Sequence, residues 1–298
     1  MNYQEFEQKH GVQKAERMAF IDFQLGFTGT IKRSDITEQF GVADSAASKE
    51  IAEYKKLVPG NVDYDRVLRT NAITNNYKPL LKISAEQGLG MLGNGFNKNL
   101  FIERPLAPYE RVGTFPKLLS VDPVMAVTRA LSNKVALKCK YLTANSQNYG
   151  ERLLIPTSIF YDGKTWMFRA FHRESDMFKN FNFARILEAE VLQQVEAQGK
   201  ETLEADADWN TKIPLILRLH PSLSETEQLV VRKDFGIPDD EREFTYFERP
   251  ALVYYLIENW EIDISKNPSK KSKGGFKLHL PMSEMLNFFS STKRILEN

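Results

Sequence analysis

Residues 163–186, GKTWMFRAFHRESDMFKNFNFARI, decide how the middle of this chain folds, because they interleave one Trp and five Phe with five Arg and Lys. Side chains alternate between the two faces of a strand. One face would therefore carry Trp166, Phe168, Ala170 and His172. The other would carry Met167, Arg169, Phe171 and Arg173. The pattern predicts a strand with one face in a core and two guanidiniums beside an aromatic ring on the other.

The segments on either side of this stretch also alternate and predict further strands. They are VALKCKYL at 135–142, RLLIPTSIFYDGKTWMFRAF at 152–171 and FNFARI at 181–186. Asp162-Gly163 is a strong hairpin signal between two of them. Nine Lys and Arg against four Asp and Glu fall between residues 134 and 185, although the whole chain has a net charge of only +1. The local excess indicates either an anion-binding surface or a solvated charged face.

The N-terminal region has the helix and turn order of a DNA-binding domain. Helical spacing of apolar residues covers 13–25, a second helix runs to a stop at Gly41, and a third covers 43–58 after a very short turn. Pro59-Gly60 ends the third helix, and residues 61–74 alternate like a short hairpin. This order predicts a winged helix-turn-helix.

A recognition helix needs small, polar and cationic side chains, because bulky apolar groups would block its entry into the major groove. We therefore predict DNA contacts from the second and third helices and from the hairpin: Arg33, Ser45, Ser48, Lys49, Lys55, Lys56, Arg66 and Arg69. The alternative is a plain three-helix core for protein contacts, since residues 1–82 hold twelve Lys and Arg against eleven Asp and Glu.

The central segment resembles the WYL domain, a small Sm-like β-barrel of bacterial transcription regulators. The resemblance rests on Tyr141, on Arg152 with Pro156, on Trp166-Met167-Phe168, and on the closing run at 181–186. Met167 and Phe168 replace the Tyr and Leu of the family's eponymous triplet, and Asn182 and Ala184 replace its usual Arg-x-Asp.

The order of winged helix, WYL domain and C-terminal extension is similar to single-chain WYL repressors of phage-defence operons, including the BREX-associated regulators. That resemblance implies a homodimer on an inverted repeat of double-stranded DNA. It also implies that the WYL domain senses a nucleotide or an oligonucleotide. The candidate effector-binding residues are Tyr141, Arg152, Arg169, His172, Arg173, Asn182 and Arg185. Arginine suits such a ligand because its planar fork binds phosphate and stacks on rings. The alternative for each Arg is a surface ion pair with Glu174 or Asp176.

After residue 212, strand and helix patterns alternate and predict a small α/β domain, with Ser224 as the cap of one helix. Asp122 is the predicted cap of the helix that precedes the WYL strands. The predicted fold class is therefore α+β in several domains. We predict a DNA-binding domain at 1–85, a linker at 86–120, the WYL domain with a leading helix at 121–200, and an extension for dimerisation at 201–298. Basic residues at 266–277 predict a solvated loop, with a DNA-backbone contact as the alternative.

Other classes of protein find little support. GLGMLG at 88–93 matches a dinucleotide fingerprint, but the glycine- and asparagine-rich residues after it predict no helix to receive the phosphates. No P-loop, serine-nucleophile elbow or metal-ligand spacing occurs, so we expect no enzyme, cofactor or metal site. A single cysteine, Cys139, and the lack of a signal peptide or a long apolar run predict a cytoplasmic protein without a membrane partner.

The functional prediction is a dimeric DNA-binding regulator, most simply a repressor, with an effector bound by the WYL domain. One alternative is a nucleic-acid-binding accessory protein whose WYL domain grips single strands for a nuclease or helicase. Another is an enzyme whose site is assembled from distant residues.

Overall fold

A computed structural model describes residues 1–102, 107–108, 119–143, 150–241, 243–268 and 275–292. The chain divides into two compact units. Unit 1 contains residues 1–177 and 181–197, and unit 2 contains residues 178–180 and 198–298. Unit 1 therefore holds both the predicted DNA-binding domain and most of the predicted WYL strands.

The first part of unit 1 is a helical domain with a small sheet. Its helices are α1 Tyr3–His10, α2 Val12–Thr28, α3 Arg33–Phe40, α4 Asp44–Leu57 and α5 Ala85–Asn94. Its strands are β1 Thr30–Ile31, β2 Val62–Asp65 and β3 Thr70–Ile73, in the antiparallel order β1-β3-β2. Gly41 ends α3 with a left-handed φ of 63°. The predicted helices of the helix-turn-helix and the hairpin are confirmed.

Helix α5 contradicts the predicted linker of little regular structure at 86–120. Ser84 caps the helix by accepting a hydrogen bond from the Gln87 N–H, while the Gln87 side chain accepts from the Ser84 N–H. A Cβ atom on Gly88 would lie 2.0 Å from the Phe27 ring, so the helix packs where only glycine fits. Gly88 of GLGMLG serves helix packing, which composition alone did not reveal. The predicted linker beyond residue 102 lies largely outside the described residues.

The second part of unit 1 is helix α6, Val121–Asn133, followed by a sheet. Ser120 is the residue before the first helical turn, two positions before the predicted cap Asp122. The strands are β4 Val135–Tyr141, β5 Glu151–Tyr161, β6 Trp166–His172, β7 Met177–Asn182 and β8 Ile186–Glu196, and residues 178–180 of β7 are counted with unit 2. Their order is β7-β6-β5-β4-β8.

The sheet is open between its outer strands β7 and β8 in the part of the chain that the structure describes. The α+β class and the strands β4, β5 and β6 agree with prediction, but the predicted strand at 181–186 is wrong, because a 3-10 turn at Phe183–Arg185 separates β7 from β8. A closed Sm-like barrel is not formed by these strand pairings. Closure would need a hydrogen-bonded ladder between the two outer strands.

Strand β6 is buried on both faces, which corrects the prediction of one core face and one open face. Phe168 and Ala170 are fully buried on one face, and on the other Met167, Arg169 and Phe171 are 7%, 1% and 4% exposed. The neighbours β5 and β7 cover the edges of β6, so the burial of its two faces comes from packing above and below the sheet, which the alternation of residues does not predict.

One hydrophobic core runs through both parts of unit 1. Helix α6 contributes Val124, Met125 and Val127 to it, and α2 contributes Ile21 and Phe27. The helical domain and the sheet therefore share a packed interior. Burial of this size is the main force that stabilises a compact unit.

Unit 2 has its own core and a mixed sheet. Its helices are α7 Ala207–Asn210, α8 Glu225–Phe235 and α9 Pro250–Asn259. Its strands are β9 Ile213–Leu219, β10 Glu243–Glu248, β11 Ile262–Asp263 and β12 Leu278–His279, in the order β10-β9-β12-β11. Ser224 caps α8 as predicted. The centre of the predicted basic loop at 266–277 lies outside the described residues. None of the helices described in either unit is both long and apolar enough to cross a lipid bilayer.

Candidate DNA-binding face and effector-binding residues

The outward face of α4, which we define as Ser45, Ser48, Lys49, Lys55 and Lys56, is a polar and cationic surface of the helix-turn-helix. Ser45, Lys49 and Lys56 are exposed, and Ser48 and Lys55 are half-buried. The opposite face, with Ala47, Ile51 and Tyr54, lies in the core. The amphipathic spacing of the sequence therefore placed these side chains correctly. What they bind stays a prediction.

Two of the three acidic side chains of α4, Glu50 and Glu53, are paired with α2, whereas Asp44 at the start of the helix is exposed. Glu53 also lies 3.8 Å from the Lys56 ammonium of the outward face. The Lys14 ammonium lies 2.6 Å from the Glu53 carboxylate, and the Arg17 guanidinium pairs with Glu50. Both acids are half-buried on the side of α4 that meets α2. These pairs fix the rotation of α4 about its axis and leave Lys49 outward.

A buried carboxylate, Asp22 of α2, is hydrogen-bonded to the core-facing side of α4. Asp22 is 1% exposed, and its Oδ1 accepts a hydrogen bond from the Tyr54 hydroxyl at 2.6 Å. The N–H groups of Leu80 and Leu81 donate to the same carboxylate at 3.0 and 2.9 Å, and the Tyr77 hydroxyl lies 3.4 Å from it. Burial raises the pKa of Asp22 above its ordinary value, and these donors offset part of the rise.

Sequence reasoning missed this network, although a signal was present. Asp22 interrupts an apolar run on α2, where an ionisable side chain is expected only if it is fully hydrogen-bonded. Asn61 extends the network, because its side-chain amide donates to the Tyr54 hydroxyl and to the Lys78 carbonyl. The network ties α4 to α2 and to the chain that leaves the wing.

A polar cavity of about 290 Å³ lies between the start of α3, the start of α4 and the wing. Its lining residues are Lys32, Arg33, Ser34, Thr37, Asp44, Tyr64, Arg69, Thr70 and Asn71. The structure thus brings two predicted DNA-contacting residues, Arg33 and Arg69, to one cavity, and both are exposed. Arg66 is exposed nearby in sequence at the turn of the wing. Cations around a polar concavity suit a phosphate group.

Three of the candidate effector-binding residues meet at the end of the sheet. The Tyr141 hydroxyl accepts a hydrogen bond from the Asn182 N–H at 2.8 Å, and its ring stands edge-on to Phe181 with centroids 5.3 Å apart. Burial raises the pKa of Tyr141, and the Asn182 N–H and the Arg185 guanidinium partly offset the rise. Arg185 itself is exposed.

His172 belongs to the same neighbourhood. Its ring centroid is 6.1 Å from that of Phe181. Its Nε2 lies 2.8 Å from the Glu174 carboxylate, and its Nδ1 lies 2.6 Å from the Ser175 hydroxyl. Only a protonated ring would make the contact with Glu174 an ion pair.

The remaining candidates are dispersed. Arg169 is almost completely buried, on the face of β6 opposite to His172. The Arg173 guanidinium donates to the Glu196 carbonyl at 3.2 Å. Arg152 is half-buried on β5 opposite Cys139, whose pKa burial raises to about 12. The structure therefore does not bring the seven candidates into one pocket, and their role stays a prediction.

Unit 2 contains a Ser-His-Asp arrangement that the sequence did not predict. The Ser222 hydroxyl lies 2.7 Å from His220 Nδ1, and His220 Nε2 lies 3.1 Å from the Asp263 carboxylate. The His220 ring is fully buried, so no substrate could reach it in this conformation. The Ser265 N–H and hydroxyl also donate to Asp263. The arrangement connects the ends of β9 and β11 and acts as a structural cross-link.

The described residues contain no cluster of three or more His, Cys, Asp and Glu side chains that could hold a metal ion. Their ionisable side chains are instead used in pairs such as Lys140–Glu188 and Arg218–Glu243.

Three family models match the chain in succession. The model for the BrxR transcriptional regulator winged helix-turn-helix domain matches residues 13–92. The WYL domain matches residues 123–191. The BrxR transcriptional regulator C-terminal dimerization domain matches residues 212–284. The first match includes α5, in agreement with its packing against α2.

Similar proteins carry the name DNA-binding transcriptional repressor CapW. One from Escherichia coli (strain KTE188) is 28% identical over 89% of this chain and 87% of its own length. Others from Pseudomonas aeruginosa and Stenotrophomonas maltophilia are 28% and 27% identical over 81% and 83% of this chain, and over 80% and 83% of their own lengths.

A solved structure, proteasome accessory factor B/C of Arthrobacter aurescens, is 14% identical, with 92% of this chain and 46% of that chain covered. Its TM-score of 0.24 supports no conclusion about the arrangement of the domains. The domain order rests on the three family models, and in that order the chain is similar to WYL-domain transcriptional regulators that combine a BrxR-type winged helix with a BrxR-type dimerization domain.

Proposed function

We propose that this chain is a dimeric, sequence-specific DNA-binding repressor of a phage-defence operon, controlled by a nucleotide or oligonucleotide that the WYL domain binds. The observation that carries the proposal is the outward face of α4. Ser45, Lys49 and Lys56 of this face are exposed, and two acids of the same helix, Glu50 and Glu53, are paired with α2. The repressor name of the CapW relatives supports the same function.

Recognition of DNA follows from the chemistry of that face. Ser45 and Lys49 lie in the first half of α4, which is the part of a recognition helix that reaches base edges. Lys55 and Lys56, near the end of the helix, suit phosphate groups, as do Arg33 and Arg69 at the cavity. A symmetric dimer would place two such helices on one side of the duplex, so the operator is an inverted repeat with half-sites about one helical turn or a multiple apart.

An effector controls the repressor only if it binds one conformation more tightly than the other. The side chains around Phe181 offer a place for it, because Arg185 is exposed beside the Tyr141 hydroxyl and the Asn182 backbone. The Arg185 guanidinium suits the phosphate of such a ligand, while the Tyr141 and Phe181 rings beside it are buried.

Contacts between α6 and α2 offer a physical route from the WYL domain to the recognition helix. The Arg129 Nε donates to the Gly26 carbonyl at 2.6 Å, and its guanidinium lies over the Tyr77 ring at 5.1 Å. The Tyr77 hydroxyl donates to the Asp22 backbone and side chain, and Asp22 accepts from Tyr54 on α4. A shift of α6 would therefore change the position of α4.

Fluorescence anisotropy with a labelled duplex from the DNA directly upstream of the chain's own gene tests the DNA-binding part. We expect binding that a scrambled duplex does not compete, with an affinity that falls steeply as salt rises because counterions are released. Equal affinity for the scrambled duplex would contradict the proposal. Preference for the single strand of either sequence would instead support an accessory protein that grips single strands.

A second experiment tests effector control. Short single-stranded DNA of about 4–16 nucleotides is added to the operator complex, and the change in operator affinity is measured. The wild type should change by roughly 5- to 150-fold. Arg129→Met, which keeps the bulk of the side chain, should retain basal binding and lose most of this response. Unchanged affinity in the wild type over all lengths would reject an oligonucleotide effector.

A further inference from the structure

The tip of the wing carries an exposed apolar pair between two arginines. Val67 is 90% exposed and Leu68 is 58% exposed, and Arg66 and Arg69 stand on either side of them. Scattered apolar residues are normal on protein surfaces. Two adjacent aliphatic side chains at the very end of a hairpin are different, because they form the most protruding part of that element.

The pair is held in place by its own turn. Asp65 Oδ1 accepts hydrogen bonds from the Val67 N–H at 2.8 Å and from the Leu68 N–H at 2.9 Å. Arg69 adopts a left-handed φ of 51°, and Asp65 is paired with Thr70 across the hairpin. The turn is therefore formed before any partner arrives, and little conformational entropy would be lost on binding.

The surroundings of the pair favour an anionic partner. Arg69 also lines the polar cavity with Lys32 and Arg33, so three cations stand there against one acid, Asp44. The negative charge of Asp65 is directed at two backbone N–H groups of the turn rather than outward. A surface with a small apolar point and cations around it is complementary to the minor groove of DNA, where side chains wedge between base steps while cations bind the phosphates.

We infer that the wing tip is an apolar wedge, in which Val67 and Leu68 enter the minor groove beside the major-groove site of α4 and bend the duplex. This inference rests on the proposed function. Arg66 and Arg69 bind the flanking phosphates and set the depth of entry. The wedge partly unstacks one base step, so it favours flexible pyrimidine–purine steps at a position that α4 does not touch.

The test compares Val67→Ala/Leu68→Ala with the wild type on the upstream duplex, which carries a fluorophore at each end so that energy transfer reports bending. The wild type should bend the duplex by at least about 20°. The variant should lose most of this bend and bind roughly ten- to a hundredfold more weakly, because the apolar area of two side chains stays in water. Its salt dependence should be unchanged, since no cation is removed.

Two control variants make the result specific. Val12→Ala shortens an exposed apolar side chain on α2 and should change neither bend nor affinity. Arg66→Ala should weaken binding and reduce the salt dependence by about one released ion while leaving most of the bend.

The outcomes separate the two proposals. A double variant that binds and bends like the wild type would overturn the wedge and leave the repressor function intact. A double variant that loses dimerisation, measured by light scattering, would assign the tip to a protein contact and also overturn the wedge. A wild type without duplex preference would reject the proposed function, and the wedge with it.

Discussion

The outward face of α4 and the strand β6 both carry basic side chains that the sequence predicted to be functional, but those on α4 reach solvent and those on β6 are buried. All five residues of the α4 face are exposed or half-buried. On β6, Arg169 is 1% exposed and His172 is 8% exposed. A helix on the surface has one free face by geometry, whereas a strand inside a sheet has both faces open to packing. A basic residue that sequence periodicity places on the polar face of a surface helix is therefore a more reliable candidate for binding than one on a strand within a sheet.

Removal of the carboxylate behind α4 should have the largest effect. Asp22→Ala leaves the Tyr54 hydroxyl and the Leu80 and Leu81 N–H groups without their acceptor, which should cost about 3 kcal/mol or more of the free energy of unfolding. Chemical denaturation measures this loss. A variant as stable as the wild type would show that water replaces the carboxylate and that α4 does not depend on it.

The pH dependence of stability gives an independent check of Asp22. Its folded-state pKa is raised, so the folded protein holds this proton more tightly than the unfolded chain does. The contribution of Asp22 to stability therefore falls as pH rises from the ordinary aspartate pKa through the raised one. Asp22→Asn should lack this fall when denaturation is repeated across acidic pH. An identical pH profile in wild type and variant would contradict the raised pKa.

The buried and the exposed arginine of the WYL sheet should respond differently to truncation. Arg169→Ala should lower the free energy of unfolding by about 3 kcal/mol, because a buried charged side chain is removed from its surroundings. Arg185→Ala, at an exposed position, should change it by no more than about 0.5 kcal/mol. Thermal unfolding of both variants compares them directly. An Arg169→Ala protein that is as stable as the wild type but has lost its response to the effector would instead support Arg169 as an effector-binding residue.

Alanine substitutions at two glycines of α5, one in close contact and one not, test how tightly α5 packs against α2. Gly88→Ala should destabilise by about 1–3 kcal/mol, since the new Cβ would overlap the Phe27 ring. Gly93→Ala should stabilise by about 0.5–1 kcal/mol, because its nearest neighbour would be 3.8 Å away and alanine favours the helix. Denaturant midpoints for the two variants test this. Equal shifts of one sign would mean that α5 does not pack against α2 as described.

The smallest effect on stability, but a clear one on binding, is expected from Lys49→Ala. It should weaken operator binding roughly tenfold and lower the salt dependence, with dimerisation and unfolding unchanged. Lys9→Ala removes an exposed lysine from α1, outside the helix-turn-helix, and serves as the control. Operator affinity that is equal in both variants would place the recognition surface elsewhere than on α4.

Local patterns were sufficient for most of the elements. The stops at Gly41 and at Pro59-Gly60, the alternation at 61–74 and the cap at Ser224 are signals that act within a few residues, and each corresponds to an observed boundary. Helix α5 was mispredicted because glycine disfavours isolated helices. Its Gly88 is needed only because Phe27, distant in sequence, packs against it.

Sequence patterns also predicted some of the candidate site residues and failed for others. The sequence identified the residues of the α4 face, because helical periodicity separates Lys49 from Ile51 and Tyr54. It also named Tyr141, Asn182 and Arg185, although only through resemblance to a family. It did not show that Arg169 is buried, since alternation assigns a residue to a face but does not say what covers that face.

The sequence by itself determined most of the helices and strands and the polar side of α4, because these depend on local propensity and on short-range periodicity. Only the tertiary structure decided how α4 is held, through Asp22, and which arginines of the WYL sheet reach solvent. Those properties depend on contacts between segments far apart in the chain, such as Asp22 with Leu81 and Gly26 with Arg129, and no local pattern encodes such pairs.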